Sequence, residues 1–156
     1  MCTVSSGVIK VWRINRSSDA LTTVITSGDE SVHKLAMSAN GSNVASSGRS
    51  VKLWKLDDEG LECLEYIQTF EEPTAYMAFC TQFTPDENFL AAGYSDGSIR
   101  FWKLEDGTCS RVYHSGVVVA LKYSPDGSRL LVQCRSGAFL KSLSPVQNQE
   151  EGPSEA

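Results

Sequence analysis

One four-residue pattern occurs three times along the chain: an apolar residue, a basic residue, an apolar residue and then tryptophan. The three copies end at Trp12, Trp54 and Trp102, which are 42 and 48 positions apart. Repeats with a period of ~20 to 50 residues are supersecondary units that cannot bury their apolar faces alone. The spacing therefore predicts several similar units that gain stability by stacking on their neighbours.

A second repeated pattern lies upstream of the tryptophans and marks tight turns. The sequence Phe-Thr-Pro-Asp-Glu at 83–87 recurs as Tyr-Ser-Pro-Asp-Gly at 123–127, and a weaker copy, Met-Ser-Ala-Asn-Gly, lies at 37–41. Proline followed by Asp, Asn or Gly suits a tight turn between strands. β-Rich runs flank each copy, and no stretch of ten or more residues has a helical period. We therefore predict an all-β fold of short antiparallel strands.

Several of these predicted strands are apolar on both faces, as in the run from Val117 to Leu121. A sheet with one face in water alternates apolar and polar residues, whereas a sheet covered on both faces does not. The pattern therefore favours sheets that pack face to face.

Together these patterns resemble the WD40 repeat, whose blades each contain four antiparallel strands of a β-propeller. Asp96 lies six residues before Trp102, and His114 lies ten residues before Ser124, as in the family's pattern. The resemblance implies a partial WD40-type β-propeller. It implies structural roles for Trp12, Trp54, Asp96, Trp102, His114 and Asp126.

The chain departs from the family's pattern in each repeat. Ser6 and Gly48 stand at the aspartate position of the first two tryptophan strands, and the last repeat has Ser136 there and Ser142 at the tryptophan position. The family's hydrogen-bond network of His, Ser or Thr, Asp and Trp is therefore incomplete in every blade. We expect apolar packing to contribute more than that network.

The repeat positions predict about three blades and one incomplete unit. We expect the partial propeller over residues 1–143, with orphan strands at about 7–26, blades at about 31–70, 77–113 and 117–143, and a disordered acidic tail at 144–156. A closed propeller needs ~4 to 8 blades. We therefore expect a fragment or shortened isoform of a longer WD-repeat protein, with a swapped or oligomeric ring as the alternative.

Charge and targeting signals indicate which partners and which cell compartments suit the protein. The formal net charge is −5, with no long basic stripe, which disfavours duplex DNA and makes nucleic acid an unlikely partner. The N-terminus lacks the basic and apolar regions of a signal peptide, and the longest apolar run is too short to span a membrane. We expect a cytoplasmic or nuclear protein that is not secreted.

Each candidate catalytic, metal-binding or cofactor-binding pattern in the sequence is better explained by a structural role. The five cysteines are widely spaced without a Cys-x-x-Cys pair, which is typical of reduced thiols: Cys2, Cys63, Cys80, Cys109 and Cys134. Cys109 and His114 are close in sequence but fall on a strand and a loop, so a nucleophile–base pair is not expected. We predict no enzyme activity, no cofactor and no metal.

Binding would then fall to the loops, since loops project from a rigid scaffold. The resemblance places Arg49, Tyr94 and Arg135 in or beside the turns between the second and third strands of the blades, and Arg and Tyr are frequent interface anchors. We predict a non-catalytic protein–protein interaction scaffold in a multiprotein assembly, with other proteins, including missing blades of a parent propeller, as partners. Two alternatives remain: an RNA-associated component of a ribonucleoprotein-processing complex, and a truncated isoform with little independent function.

Overall fold

A computed structural model describes residues 2–5, 8–14, 19–26, 32–56, 64–70, 76–114 and 116–142. The described residues form fourteen β-strands and connecting turns, with no helix among them. The strands make four antiparallel sheets, and within each sheet the order of strands follows the order of the chain. The prediction of an all-β fold is confirmed. The predicted disordered tail at 144–156 lies outside the described residues.

The first two sheets contain the first two tryptophan strands. Sheet 1 consists of β1 (Cys2–Ser5), β2 (Val8–Ile14) and β3 (Asp19–Thr26), and sheet 2 consists of β4 (Lys34–Met37), β5 (Asn43–Ser47), β6 (Val51–Leu56) and β7 (Leu64–Phe70). The sequence analysis began sheet 1 at about residue 7. The structure adds β1, which pairs with β2 from Cys2 opposite Val11 to Ser5 opposite Val8.

The other two sheets continue the same meander. Sheet 3 consists of β8 (Ala78–Phe83), β9 (Phe89–Tyr94), β10 (Ser98–Lys103) and β11 (Cys109–His114), and sheet 4 consists of β12 (Val118–Tyr123), β13 (Arg129–Cys134) and β14 (Gly137–Ser142). The third strands of sheets 1 and 4 differ in position, because β3 is an outer strand after the tryptophan strand whereas β14 is itself the counterpart of a tryptophan strand.

A separate apolar core lies at each junction between consecutive sheets. Between sheets 1 and 2, Ile9 packs with Val44 and Trp54. Between sheets 2 and 3, a larger cluster includes Leu53 and Trp102. The cluster between sheets 3 and 4 is lined by Cys80, Ala91, Ile99, Phe101, Val118, Leu121, Tyr123, Leu130, Val132 and Cys134. The sheets therefore stack in chain order, and most of the core lies between sheets.

Glycine is required where sheets 3 and 4 approach most closely. A Cβ added to Gly93 would lie 2.4 Å from Val118 Cγ1 and 2.8 Å from Cys80 Sγ. These separations are far below van der Waals contact, so the two sheets could not pack at this distance around a larger residue. Gly93 thus sets the spacing of the junction.

The strand register corrects one sequence assignment. Trp54 lies opposite Val44 and Trp102 opposite Leu90, and the equivalent place opposite Leu130 is taken by Lys141. The sequence spacing predicts Ser142 at this place, and the register corrects it to Lys141. The cause is a shorter turn: four residues separate the pair Gln133 and Ala138, whereas five separate the corresponding pair in sheet 3, Gly93 and Ile99.

Candidate functional site

The turn between β9 and β10 contains a polar network. The backbone N–H and the hydroxyl of Ser98 both donate to Asp96 Oδ1, at 2.9 and 2.7 Å. Arg100 Nη2 donates to Asp96 Oδ2 at 3.1 Å, with both side chains largely buried. The Arg100 guanidinium carbon also lies 4.4 Å from the centre of the Tyr94 ring. The carboxylate therefore joins the turn to the strand that follows it.

The sequence predicts a structural role for Asp96 in this turn but does not single out Arg100. Arg100 occupies the basic position of the repeated tryptophan pattern, where the other repeats have Lys10 and Lys52. Lys10 is exposed and Lys52 is half-buried, whereas Arg100 is buried. A basic residue in an alternating strand is usually a solvated side chain, so composition alone gave no signal. The signal lay in the four-residue spacing of Asp96 and Arg100 across the turn.

Tyr94 does not belong to an exposed binding loop. The sequence analysis proposed it as a partner contact, but its side chain is only 2% exposed and its ring packs over Arg100. Aromatic rings attract buried guanidinium groups through the charge distribution of their π-systems. Tyr94 therefore has a structural contact, and the prediction of a partner contact is corrected.

Two of the three tryptophans, in sheets 2 and 3, take core positions. Trp54 Nε1 donates to Ser46 Oγ at 3.1 Å, and Trp54 and Trp102 are both nearly inaccessible. Trp12 is partly buried. His114 is the last residue of β11, where its backbone pairs with Ser98. The structure thus places Trp54 and Trp102 between sheets rather than on a binding surface.

The turns between the first and second strands of sheets 2, 3 and 4 share one hydrogen-bond arrangement. Asp126 accepts hydrogen bonds from the Ser124 hydroxyl and from the Ser128 hydroxyl and backbone N–H. These bonds lower the pKa of Asp126 to about 2, with the Ser124 hydroxyl contributing most. Asp86 and Asn40 accept in the same way in the other two turns. Asp126 is therefore a turn-forming residue.

Reactive side chains do not converge in the described residues. Cys109 pairs with Trp102 near one end of β11, and His114 lies at the other end, roughly 16 Å away for a strand of this length. Burial raises the pKa of the Cys80 thiol to about 11, which disfavours the thiolate needed for nucleophilic attack. No group of three or more metal-binding side chains occurs within the described ranges.

Two of the predicted binding residues lie exposed at one end of the sheets. Arg49 follows β5 and Arg135 follows β13, and each is in a turn between the second and third strands of its sheet. The Arg135 backbone N–H donates to Val117 O at 3.1 Å, which anchors its turn to the segment that enters β12. The Arg135 guanidinium group therefore projects from a fixed backbone.

Tyr76 joins these arginines at the same end, although sequence analysis did not select it. Its side chain is 44% exposed. The next two residues are held between neighbouring turns, since Met77 exchanges hydrogen bonds with Ser95 and Ala78 N–H donates to Gly48 O at 2.8 Å. We name Arg49, Tyr76 and Arg135 the turn surface. It combines an aromatic ring with two cations on rigid supports, a composition typical of protein interfaces.

Within the part of the chain that the structure describes, no helix is long and apolar enough to cross a bilayer.

Comparison with known families identifies one repeat directly. Residues 64–103 match the WD40 family, described as "WD domain, G-beta repeat". The matched segment begins with β7, the outer strand of sheet 2, and continues through β8, β9 and β10 of sheet 3. One sequence repeat thus spans two sheets and links them covalently.

Several curated proteins are similar to this chain. The Aspergillus terreus protein "Eukaryotic translation initiation factor 3 subunit I" is 35% identical over 81 residues, covering 46% of this chain and 24% of that protein. The human "Angio-associated migratory cell protein" is 26% identical over 139 residues, covering 84% and 30%. The Caenorhabditis elegans "Transcription initiation factor TFIID subunit 5" is 27% identical over 85 residues, covering 53% and 12%.

The chain spans less than a third of the length of each of these relatives. Three findings indicate the same type of repeat. The antiparallel sheets stack in chain order, the tryptophan strand recurs, and residues 64–103 match the WD40 family. Residues 64–103 thus match a WD40 repeat, and the described residues have the fold of a partial WD40-type β-propeller.

Proposed function

We propose that this chain is a non-catalytic protein–protein interaction scaffold that acts within a multiprotein assembly in the cytoplasm or the nucleus. The observation that carries the proposal is the turn surface, where Arg49, Tyr76 and Arg135 are exposed on turns fixed by backbone hydrogen bonds. Fold alone names no partner, so the proposal depends on this surface. Two of the similar proteins are named as subunits of larger factors, which supports an assembly role.

The turn surface suits binding better than chemistry. Its side chains supply hydrogen-bond donors and a flat ring, and the carboxylate of the turn between β9 and β10, Asp96, is already bonded to Ser98 and Arg100. Such an arrangement offers contacts to a protein surface but no nucleophile with a neighbouring base.

Affinity purification of the tagged chain from cells, followed by mass spectrometry, tests the proposal. The triple variant Arg49→Ala, Tyr76→Ala, Arg135→Ala should lose specific partners that the unmodified chain retains, since truncating interface anchors weakens binding by ~2 kcal/mol or more at each hot spot. Circular dichroism must show that the variant is folded.

A matched control carries Lys55→Ala and Lys103→Ala. These basic residues lie at the opposite ends of their strands from the turn surface, so their removal should leave the partners in place. Equal retention of all partners by the triple variant and the control would contradict a binding role for the turn surface.

A further inference from the structure

The end of the sheet stack has an exposed apolar pair on sheet 4, beside exposed Lys122 of β12, which lies opposite Leu131. Leu131 of β13 lies directly opposite Leu140 of β14, and the two side chains are 44% and 57% exposed. Paired strands place such opposite residues on the same face. We name this surface the open face of sheet 4.

The register shows what kind of surface this is. In sheet 3 the corresponding pair is Ala91 and Phe101, which lie opposite one another and are almost fully buried. They are covered by sheet 4, through a cluster that includes Leu130 and Val132. The open face of sheet 4 thus repeats a face that elsewhere in this molecule packs against the next sheet.

The other end of the stack presents the opposite type of sheet face, the one that carries the tryptophan. Ile9 is fully buried against sheet 2. Because side chains alternate along a strand, Lys10 and Trp12 lie on the opposite face of β2, and they are exposed and partly buried respectively. We name this the open face of sheet 1.

In the sheets that follow, this tryptophan face is the one that packs on the preceding sheet. Trp54 of sheet 2 packs with Ile9 of sheet 1, and Trp102 of sheet 3 packs with Leu53 of sheet 2. The two open faces are therefore the two halves of one type of junction, which the molecule forms three times between its own sheets.

We propose that the open face of sheet 4 binds the open face of sheet 1 of a second copy of this chain, so that two copies close a ring. Among the described strands, sheets 1 and 4 of one chain share no extensive contact, and an open stack of four sheets leaves both ends exposed. Two copies supply eight sheets, within the ~4 to 8 blades of closed propellers. Twofold symmetry makes the two junctions identical and leaves no exposed end.

Size-exclusion chromatography with light scattering tests the assembly on the 156-residue chain. The expected mass is twice the 17.0 kDa of one chain at high concentration, falling towards one chain on dilution. Leu140→Asp should abolish the dimer, because it places a carboxylate in a junction that excludes water. Leu131→Lys tests the same face independently, and circular dichroism verifies that each variant folds.

Tyr76→Asp is the matched control, since Tyr76 is exposed to the same extent as Leu131 but lies outside both open faces. It should leave the dimer intact. A wild-type chain that is monomeric at every concentration would overturn the proposal and assign the open face to a sheet from another polypeptide. A dimer that survives both Leu140→Asp and Leu131→Lys would overturn it as well.

Tryptophan emission distinguishes the head-to-tail arrangement from a dimer through two copies of sheet 4. Trp54 and Trp102 are already buried in one chain, whereas Trp12 is partly exposed. Ring closure should shift the emission to shorter wavelength as concentration rises, and Trp12→Phe should remove that shift. A dimer that forms without any shift would contradict the involvement of sheet 1, and open polymers of increasing length would contradict ring closure.

Discussion

At the scale of single residues, burial decides what a repeated sequence position does. Lys10, Lys52 and Arg100 share one place in the repeat, yet they are exposed, half-buried and buried. Arg100 can be buried because the Asp96 carboxylate and the Tyr94 ring stabilise its positive charge. A buried charge without such partners would be strongly destabilising.

Removal of the Arg100 charge should therefore destabilise the fold. We expect Arg100→Met to lower the free energy of unfolding by about 3 kcal/mol, because it leaves Asp96 without its cation. Lys52→Met, at the same place in sheet 2, should cost less than about 1 kcal/mol. Urea denaturation followed by circular dichroism measures both. Equal losses in the two variants would show that the ion pair adds nothing.

Asp126 gives the fold a dependence on acidic pH. Its pKa in the folded chain is about 2, below the ordinary value of 3.8. A lowered pKa stabilises the folded state at pH values above 3.8, and this contribution is lost as the pH falls towards 2. We expect Asp126→Asn to weaken that dependence.

Asparagine is a suitable replacement because Asn40 accepts the same hydrogen bonds in the turn of sheet 2. The difference in stability between the wild type and Asp126→Asn should shrink as the pH falls from 3.8 to 2. Denaturation measured at several pH values provides the check. A difference that is constant from neutral pH to pH 2 would show that the carboxylate is not coupled to folding.

At the scale of strands, turn length and close packing set how each sheet meets the next. The turn before β14 is one residue shorter than the turn before β10, so Lys141 takes the place that a tryptophan has in sheet 3. The junction between sheets 3 and 4 instead depends on Gly93, whose Cα hydrogen faces Val118 and Cys80.

A methyl group at Gly93 should separate these two sheets. We expect Gly93→Ala to destabilise the chain by about 1 to 3 kcal/mol, the usual range for overpacking a core. Val118→Ala combined with Gly93→Ala should recover part of the loss, because it removes the Cγ1 atom that the new methyl group would meet. Thermal denaturation of the two single variants and the double variant measures the coupling.

Gly116→Ala is the control for this experiment, since its added Cβ would meet the Ser136 hydroxyl at 3.1 Å and Cys134 Cβ at 3.7 Å, both after β12 in the same sheet, and no atom of sheet 3 within 4 Å. It should change stability much less than Gly93→Ala. Additive losses in the double variant would argue against the contact between positions 93 and 118.

At the scale of the whole molecule, stability should follow the order of stacking. Sheet 3 is covered on both faces, whereas sheet 4 is covered on one. In repeat proteins, stability is approximately a sum over units and their junctions. The central sheets should therefore open less often than the end sheets.

Amide hydrogen exchange, measured by mass spectrometry, tests this gradient. We expect the slowest exchange in β9 and β10, and the fastest exchange within sheets 3 and 4 in β14, whose side chains are mostly exposed. At low protein concentration β13 and β14 should lack the protection seen in sheet 3. Equal protection of sheets 3 and 4 under those conditions would contradict independent junction energies.

Much of this architecture could be predicted from the repeat. The tryptophan strands, the Pro-Asp turns and the doubly apolar runs each carry a local signal of strand or turn, because turn chemistry and residue alternation act over a few residues. The short β1 lacked such a signal, since Cys2–Ser5 is too short to show alternation. The predicted tryptophan position of the last repeat was also wrong, because the spacing assumes that the turn before this strand is as long as in the other repeats.

The candidate site was predicted less completely. Arg49 and Arg135 are exposed at the turns, as the resemblance implies, but Tyr94 is buried, and Tyr76, which precedes β8, is exposed at the same end of the sheets. Local sequence places a residue in a turn. It does not state whether the side chain points to solvent or into the gap between two sheets.

The sequence by itself determined the all-β class, the repeat and the turn-forming residues, because strand and turn preferences are local. Tertiary structure decided which of three equivalent basic residues is buried, which glycine sets a sheet junction and which apolar pair remains exposed at the end of the stack. These properties depend on the neighbouring sheet. The apolar pair Leu131 and Leu140 has the same chemistry as a core pair, and only the absence of a covering sheet among the described residues makes it a surface.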